Sequence, residues 1–181
     1  MCPPTKFGSM YGIQRPTKTT KASLIEWAEE QMSRGIPRQV VCDYLFSEDI
    51  QKLARGHPGV MEALAETGRA LSGVMLDRNL RGQELEKAEA IDEAIALYEA
   101  NVADACGGNH PYDRLAILYR KRGQIDQEIR VLERAIWVFE NIASKGRADR
   151  LPKLKKFKER LAKAKGLREK AGSSPDSVLP R

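Results

Sequence analysis

The sequence predicts an all-α fold, and three observations lead to that class. Apolar residues recur every three or four positions along most of the chain, which is the period of a helix with one buried face. Short turns that contain glycine separate these segments. Val, Ile, Thr and Tyr nowhere alternate with polar residues over four or more positions, so no strand is predicted.

The first elements follow an extended arm, residues 1–21, in which proline and glycine are too dense to sustain a helix. A helix is predicted over residues 22–34, with Ser23 as its N-cap and Gly35 as its stop. Two shorter helices complete an N-terminal helical segment, residues 22–56: they are expected at residues 37–46 and at Glu48–Ala54.

Residues 57–170 are predicted to form one helical domain, and residues 171–181 a disordered tail. Glycine-containing breaks, the first of them Arg81-Gly82, divide the domain into five helices: residues 60–80, 84–105, 112–122, 125–143 and 150–170. The last helix carries a single apolar stripe: Leu151, Leu154, Phe157, Leu161 and Ala164. That stripe predicts a helix that closes the domain, with most of its lysines facing away.

An internal repeat runs through this domain. The segment from Ala94 to Glu99 recurs 34 positions downstream as Glu128 to Glu133, with isoleucine, a second hydrophobe and glutamate at matching places. The pair Ile91-Asp92 likewise recurs as Ile125-Asp126. A 34-residue period of helix, turn and helix is the period of tetratricopeptide repeats.

Residues 109–142 resemble one full repeat of the tetratricopeptide-repeat family, and residues 84–108 resemble part of one. The large, small and turn positions of the family pattern are occupied as follows: Tyr112, Leu115, Ala116, Tyr119, Gly123, Leu132 and Ala135. Glu128 departs from the pattern, because the family usually has a small residue there, as Ala94 is one repeat earlier. At Glu128 we therefore expect either looser helix packing or a side chain turned outward.

The resemblance implies a short solenoid of stacked helix pairs that acts as a non-catalytic adaptor for a peptide or a partner protein. It also implies a concave groove lined by the first helix of each pair. The predicted groove residues are Asp113, Arg114, Ile117, Arg120 and Lys121. They lack the Lys and Asn set with which some family members clamp a terminal carboxylate. Three cations beside one aspartate favour an acidic peptide or a self-association surface.

Both ends of the chain are basic, whereas the body is mildly acidic. Residues 1–21 carry four basic and no acidic residues, and residues 145–171 carry twelve basic and three acidic ones. The arm also holds four apolar residues that either dock on a partner or on a second subunit, or belong to a flexible terminus without a function: Phe7, Met10, Tyr11 and Ile13. Such charge asymmetry is typical of an interaction arm or of a solvated terminal helix.

The alternative function is association with nucleic acid. Residues 28–45 resemble the first two helices of a helix-turn-helix, and Arg38 and Gln39 are the side chains suited to reading base edges. The basic helix at 150–170 could track phosphates through Lys155, Lys156 and Lys163. Nearby acidic residues and the lack of an exposed aromatic make this alternative weaker than the adaptor.

Other classes are excluded by what the sequence lacks. The longest strongly apolar run spans residues 135–139, far short of the ~20 that a membrane span needs, and no secretory signal is recognised. The three cysteines are far apart and form no metal-binding pair, which indicates a reducing compartment such as the cytoplasm. Cys106 and His110 lack a third orienting group, and no phosphate-binding glycine loop occurs. No enzymatic activity, metal or cofactor is therefore expected.

Overall fold

A computed structural model describes residues 11–172. Eight α-helices lie wholly within this range and no strand occurs in it, which confirms the predicted all-α class. In chain order the helices are α1 (Lys21–Ser33), α2 (Arg38–Leu45), α3 (Glu48–Ala54), α4 (Pro58–Lys87), α5 (Ile91–Ala103), α6 (His110–Lys121), α7 (Ile125–Asn141) and α8 (Arg150–Gly172).

Each helix packs against its neighbour in the chain, and one apolar core runs through the whole stack. Helices α1, α2 and α3 also lie against α4, where the Cys42 thiol donates to the Gly68 carbonyl at 3.6 Å. Four aromatic side chains are fully buried in the core: Tyr98, Tyr112, Phe139 and Phe157. Burial of such large apolar surfaces is the main stabilising contribution to a fold of this kind.

The expected break at Arg81-Gly82 is wrong, because α4 continues through it to Lys87. Gly82 is buried against the ring of Tyr98, which is itself fully buried on α5. The glycine lets α4 and α5 approach closely instead of ending a helix. The chain turns instead at Glu89, which adopts a positive φ of 62°.

Replacing Gly82 with alanine is expected to lower the free energy of unfolding by about 1–3 kcal/mol. The new Cβ would lie 2.5 Å from Cε1 of Tyr98, which cannot move because its ring is fully buried. Gly73 on the same helix has open space around it, so Gly73→Ala should instead gain up to about 1 kcal/mol from helix propensity. Urea unfolding of both variants tests this contrast, and a Gly82→Ala variant as stable as the parent would contradict it.

The turns after α4 and α6 share one geometry and lie one repeat apart. Glu89 and Gly123 both have positive φ, 62° and 69°. The next residue in each turn donates its amide to the chain five residues back, Ala90 to Leu85 at 2.9 Å and Gln124 to Tyr119 at 2.9 Å. These two turns thus lie 34 positions apart, the spacing of the repeat seen in the sequence.

The N-terminal arm differs from the expectation in its described part. Ile13 is only 9% exposed and belongs to the core of its own chain. The indole Nε1 of Trp27 donates to the carbonyl of Gln14 at 2.7 Å, and the amide of Gln14 donates to Oε1 of Gln31 at 3.1 Å. The assignment of Ile13 to a partner is therefore wrong, because its side chain is buried in the core of its own chain. Tyr11 packs partly buried against the same core.

Some of the expectations for the ends of the chain fall outside the described residues, and the expected N-cap of the first helix is wrong. Phe7 and Met10 lie outside the described residues, and so does the predicted tail beyond 172. At the start of α1 the N-cap is Thr20 and not Ser23, since the Thr20 hydroxyl accepts the amide of Ser23 at 3.3 Å.

Helix α8 packs along α7 through the predicted stripe. Leu154, Phe157 and Ala164 are buried, whereas Leu151 is 63% exposed and lies outside the contact. Most of the lysines of α8 are expected to face away from this contact, but Lys158 and Lys165 pair with α7. Three cations of α8 reach acidic residues of α7: the pairs are Lys158–Glu140, Lys165–Glu133 and Arg168–Asp126. Charge pairing of the two helices therefore adds to the apolar contact.

Asp43 on α2 gives the fold a pH dependence that one substitution can test. Burial raises the pKa of this carboxyl to about 6, from an ordinary value near 4, although the Gln39 amide donates to it. The stability that Asp43 contributes is present below the unfolded pKa and is lost as pH rises through about 6. The free energy of unfolding of Asp43→Asn should therefore exceed that of the parent by roughly 1–2 kcal/mol at about pH 7.5, and by much less at about pH 4.5. A difference in urea unfolding that does not change with pH would contradict this.

Candidate interaction cleft between α4 and α6

The five predicted groove residues all lie on α6. Leu115, Ala116 and Tyr119 are buried, as the repeat pattern requires. The five predicted groove residues do not form one surface. Arg114 and Lys121 face α4, whereas Asp113 binds the guanidinium of Arg160 on α8 at 2.6 Å.

A cleft of about 640 Å³ lies between the last turns of α4 and the outer face of α6. The start of α5 closes one end of it. Most of the lining residues are polar, and they include four cationic side chains and one carboxylate. The nine residues that line the cleft are Gln83, Glu86, Lys87, Ile91, His110, Arg114, Leu118, Lys121 and Arg122. A concave surface of this size and charge can accept part of an anionic chain.

The carboxylate of Glu86 organises the floor of the cleft. Arg114 binds both of its oxygens through Nε and Nη2, and the Nε contact measures 2.9 Å. Tyr98 donates its hydroxyl to Oε1 of Glu86 at 2.8 Å. The hydrogen bonds from Arg114 hold the pKa of Glu86 below its usual range, so the carboxylate stays ionised. The charge of Arg114 is thus largely neutralised within the chain.

His110 lies beside this pair at the start of α6. Its ring meets the Tyr98 ring edge-on, with 5.5 Å between the centroids. Burial, and next the nearby Arg114 guanidinium, lower the pKa of the imidazole. We therefore expect a neutral His110 at neutral pH, which adds no positive charge to the cleft.

The cleft also contains two lysines without an ionic partner among the described residues. Lys87 ends α4 and Lys121 ends α6, so they occupy equivalent positions one repeat apart. No carboxylate of residues 11–172 forms a salt bridge with either ammonium, whereas Arg122 pairs with Asp92 at 2.5 Å. These two lysines are the cations of the cleft that are available to a ligand.

Glu128 is buried, so the expectation that its side chain turns outward is wrong. It is only 1% exposed and lies between α6 and α7. Arg120 binds both of its carboxylate oxygens, one contact measuring 2.7 Å. The Arg120 guanidinium therefore compensates the buried negative charge of Glu128, and its own charge is used inside the chain. Ile117, the remaining predicted groove residue, is half-buried on α6.

The residues of the nucleic-acid alternative are scattered. Arg38 on α2 binds Asp104 at 3.1 Å, and Gln39 donates to Asp43 while accepting the amide of Gly107. Both side chains therefore fasten α2 to the turn that follows α5. On α8, Lys156 lies 3.8 Å from Asp113, and Lys155 and Lys163 are exposed.

Sequence reasoning missed the contribution of α4 to the cleft. The expected helix break at Arg81-Gly82 separated Gln83 and Lys87 from the first helix of their repeat. The sequence repeat could have identified Lys87, because Lys87 stands 34 positions before Lys121. No sequence prediction assigns the exposed Leu76 and Leu80 of the same helix to a surface.

Within residues 11–172, no helix combines the length and apolar character needed to cross a membrane. In the same range no group of three or more His, Cys, Asp or Glu side chains is arranged to hold a metal ion. Comparisons with protein-family models, with curated proteins and with solved structures gave no significant match to this chain.

Proposed function

We propose that the chain is a non-catalytic, cytoplasmic adaptor built on tetratricopeptide-like helix pairs, which binds a peptide or a partner protein on the outer face of α6 and in the adjoining cleft. The observation that carries the proposal is the repetition of helix pair and turn at the period of the sequence repeat. The turns at Glu89 and Gly123 share their backbone geometry and amide contacts. That period is the one that stacked helix-turn-helix repeats have.

The packing of the two pairs supports the same proposal. Gly82 on α4 lies against Tyr98 on α5, and the residues 34 positions later, Ala116 and Leu132, are both fully buried. A buried small residue on the first helix of each pair leaves room for the second helix to approach it. Helix α8 then covers the last pair through Phe157 and its neighbours, as a terminal helix of a solenoid does.

The proposal is tested by comparing the proteins captured from native lysate by the full tagged chain and by a Lys87→Glu/Lys121→Glu variant. Both lysines are exposed and bear no intramolecular ion pair in the described chain, so the fold should persist. We expect specific partners to be lost with the variant and retained by a Lys155→Glu/Lys163→Glu control of equal charge. A chain that captures nothing above the bare tag would contradict the adaptor function.

Association with nucleic acid remains the second candidate, favoured by the exposed lysines of α8. We expect the parent to bind DNA or RNA only weakly near physiological salt, at about 10⁻⁴ to 10⁻⁶ M. Reversing Lys155, Lys156 and Lys163 to glutamate should weaken even this binding while leaving protein partners intact. Fluorescence anisotropy across a salt series measures both effects. Submicromolar, sequence-selective binding would reverse the order of the two functions.

A further inference from the structure

We propose that the cleft between α4 and α6 selects an extended peptide segment in which an acidic side chain lies about three to five residues from an apolar one. This inference rests on the proposed adaptor function and specifies its ligand. It combines two surfaces of α4 and α6 that adjoin: an apolar strip on α4 and a pair of free lysines where the two helices end.

The apolar strip consists of Leu76 and Leu80. They are 58% and 51% exposed, although both sit in the middle of a long helix whose other large apolar side chains are mostly covered. Residues 76, 80, 83 and 87 are spaced by four, three and four positions, so they share one face of α4. Gln83 and Lys87 line the cleft. The leucines therefore extend the cleft along α4 as an uncovered apolar surface.

The charged end of this surface favours a carboxylate. Of the four cations that line the cleft, Arg114 is bound to Glu86 and Arg122 to Asp92. Lys87 and Lys121 form no salt bridge with a carboxylate of residues 11–172, and each stands at the end of its helix. An acidic side chain between these two ammonium groups would form charge-assisted hydrogen bonds with them.

The distance between the two surfaces sets the spacing in the ligand. Leu80 and Lys87 are seven residues apart on one helix, or about 10 Å at 1.5 Å per residue. Leu76 and Lys87 are eleven residues apart, or about 16 Å. An extended peptide advances about 3.3 Å per residue, so these distances correspond to about three and five residues of ligand.

The same features favour a peptide over a nucleic acid. A phosphate backbone would gain nothing from the exposed Leu76 and Leu80. Among the described residues, no Phe, Tyr or Trp side chain lines the cleft as a stacking platform for a base. An acidic and apolar peptide uses both the exposed leucines and the free lysines.

The test is selection of random dodecapeptides displayed on phage against the full chain, with four variants for comparison. Lys87→Glu/Lys121→Glu removes the charged end, and Leu76→Ser/Leu80→Ser removes the apolar strip. Their matched controls lie on α8: Lys155→Glu/Lys163→Glu makes the same charge change, and Leu151→Ser changes a leucine that is 63% exposed. Circular dichroism and thermal unfolding show that each variant is folded before it is used.

We expect enriched peptides to carry Asp or Glu about three to five positions from an apolar residue. Their affinity, measured by fluorescence anisotropy, should fall about tenfold or more with each cleft variant and should be unchanged with each control. Enriched peptides that bind the cleft variants as well as the parent would overturn this inference while leaving the adaptor function in place. Displacement of the peptides by oligothymidylate in a manner that depends on Lys87 and Lys121 would assign the cleft to nucleic acid instead. If no peptide is enriched, the inference fails, and the lysate capture decides separately whether the adaptor function fails with it.

Discussion

Replacing Leu132 with alanine is expected to lower the free energy of unfolding by about 2–5 kcal/mol. Leu132 is completely buried on α7, at the position where the second helix of the pair meets the first. Removing its side chain loses the transfer free energy of the buried methyl groups, and it leaves a cavity that the surrounding helices fill only in part.

Leu167→Ala on α8 is the matched control for this prediction. Leu167 is 41% exposed, so its truncation should change stability by less than about 1 kcal/mol. Chemical unfolding monitored by circular dichroism measures both variants. If Leu132→Ala unfolds at the same urea concentration as the parent, then α6 and α7 do not pack as a closed pair.

Replacing Arg120 with alanine is expected to cost about 3 kcal/mol, although a guanidinium at a helix surface is ordinarily dispensable. Its partner Glu128 is 1% exposed and accepts both of its hydrogen bonds. Without Arg120 the Glu128 carboxylate would be buried with no compensating charge. An uncompensated buried charge is the main reason why removing one partner of a buried ion pair destabilises a protein.

A double variant separates the cost of the unpaired charge from the value of the pair itself. Glu128→Ala introduces the residue that stands 34 positions earlier as the fully buried Ala94. Arg120→Ala/Glu128→Ala should therefore recover most of the stability that Arg120→Ala loses. Arg81→Ala breaks an exposed pair with Glu84 and should cost no more than about 0.5 kcal/mol. An Arg120→Ala variant as stable as Arg81→Ala would show that Glu128 reaches water.

The helical class and most helix ends could be predicted because they depend on residues close in the chain. The bounds of Glu48–Ala54 are as predicted, and those of α6, α7 and α8 fall within about two residues of prediction. The break at Arg81-Gly82 could not be judged in this way. A glycine can either end a helix or allow a helix to pack closely against its neighbour. At Gly82 the second role depends on the ring of Tyr98, sixteen residues away in the sequence.

The candidate site was accessible to sequence reasoning only in part. The repeat pattern identified the outer face of α6, but side-chain charges were read as free when they are paired. Arg114 is bound by Glu86 from another helix and Arg120 by a buried Glu128, and such partners follow from tertiary packing alone. Lys87 was missed because the wrong helix break removed it from its repeat. The prediction for the arm was wrong at Ile13 for a similar reason, since this side chain is buried in a core that forms only in the folded chain. The next residue, Gln14, bonds to Trp27 and Gln31 on α1.

The most direct test of the central claim is a map of amide chemical shifts in the ¹⁵N-labelled full chain, titrated with the tightest-binding acidic and apolar peptide. We expect the shifts to cluster on the face of α4 from Leu76 to Lys87 and on α6 from His110 to Lys121. The same titration of the Lys87→Glu/Lys121→Glu variant should leave these resonances in place. Shifts concentrated instead on α8, or on the N-terminal helices α1 to α3, would contradict the claim that this chain binds its partner through the cleft between α4 and α6.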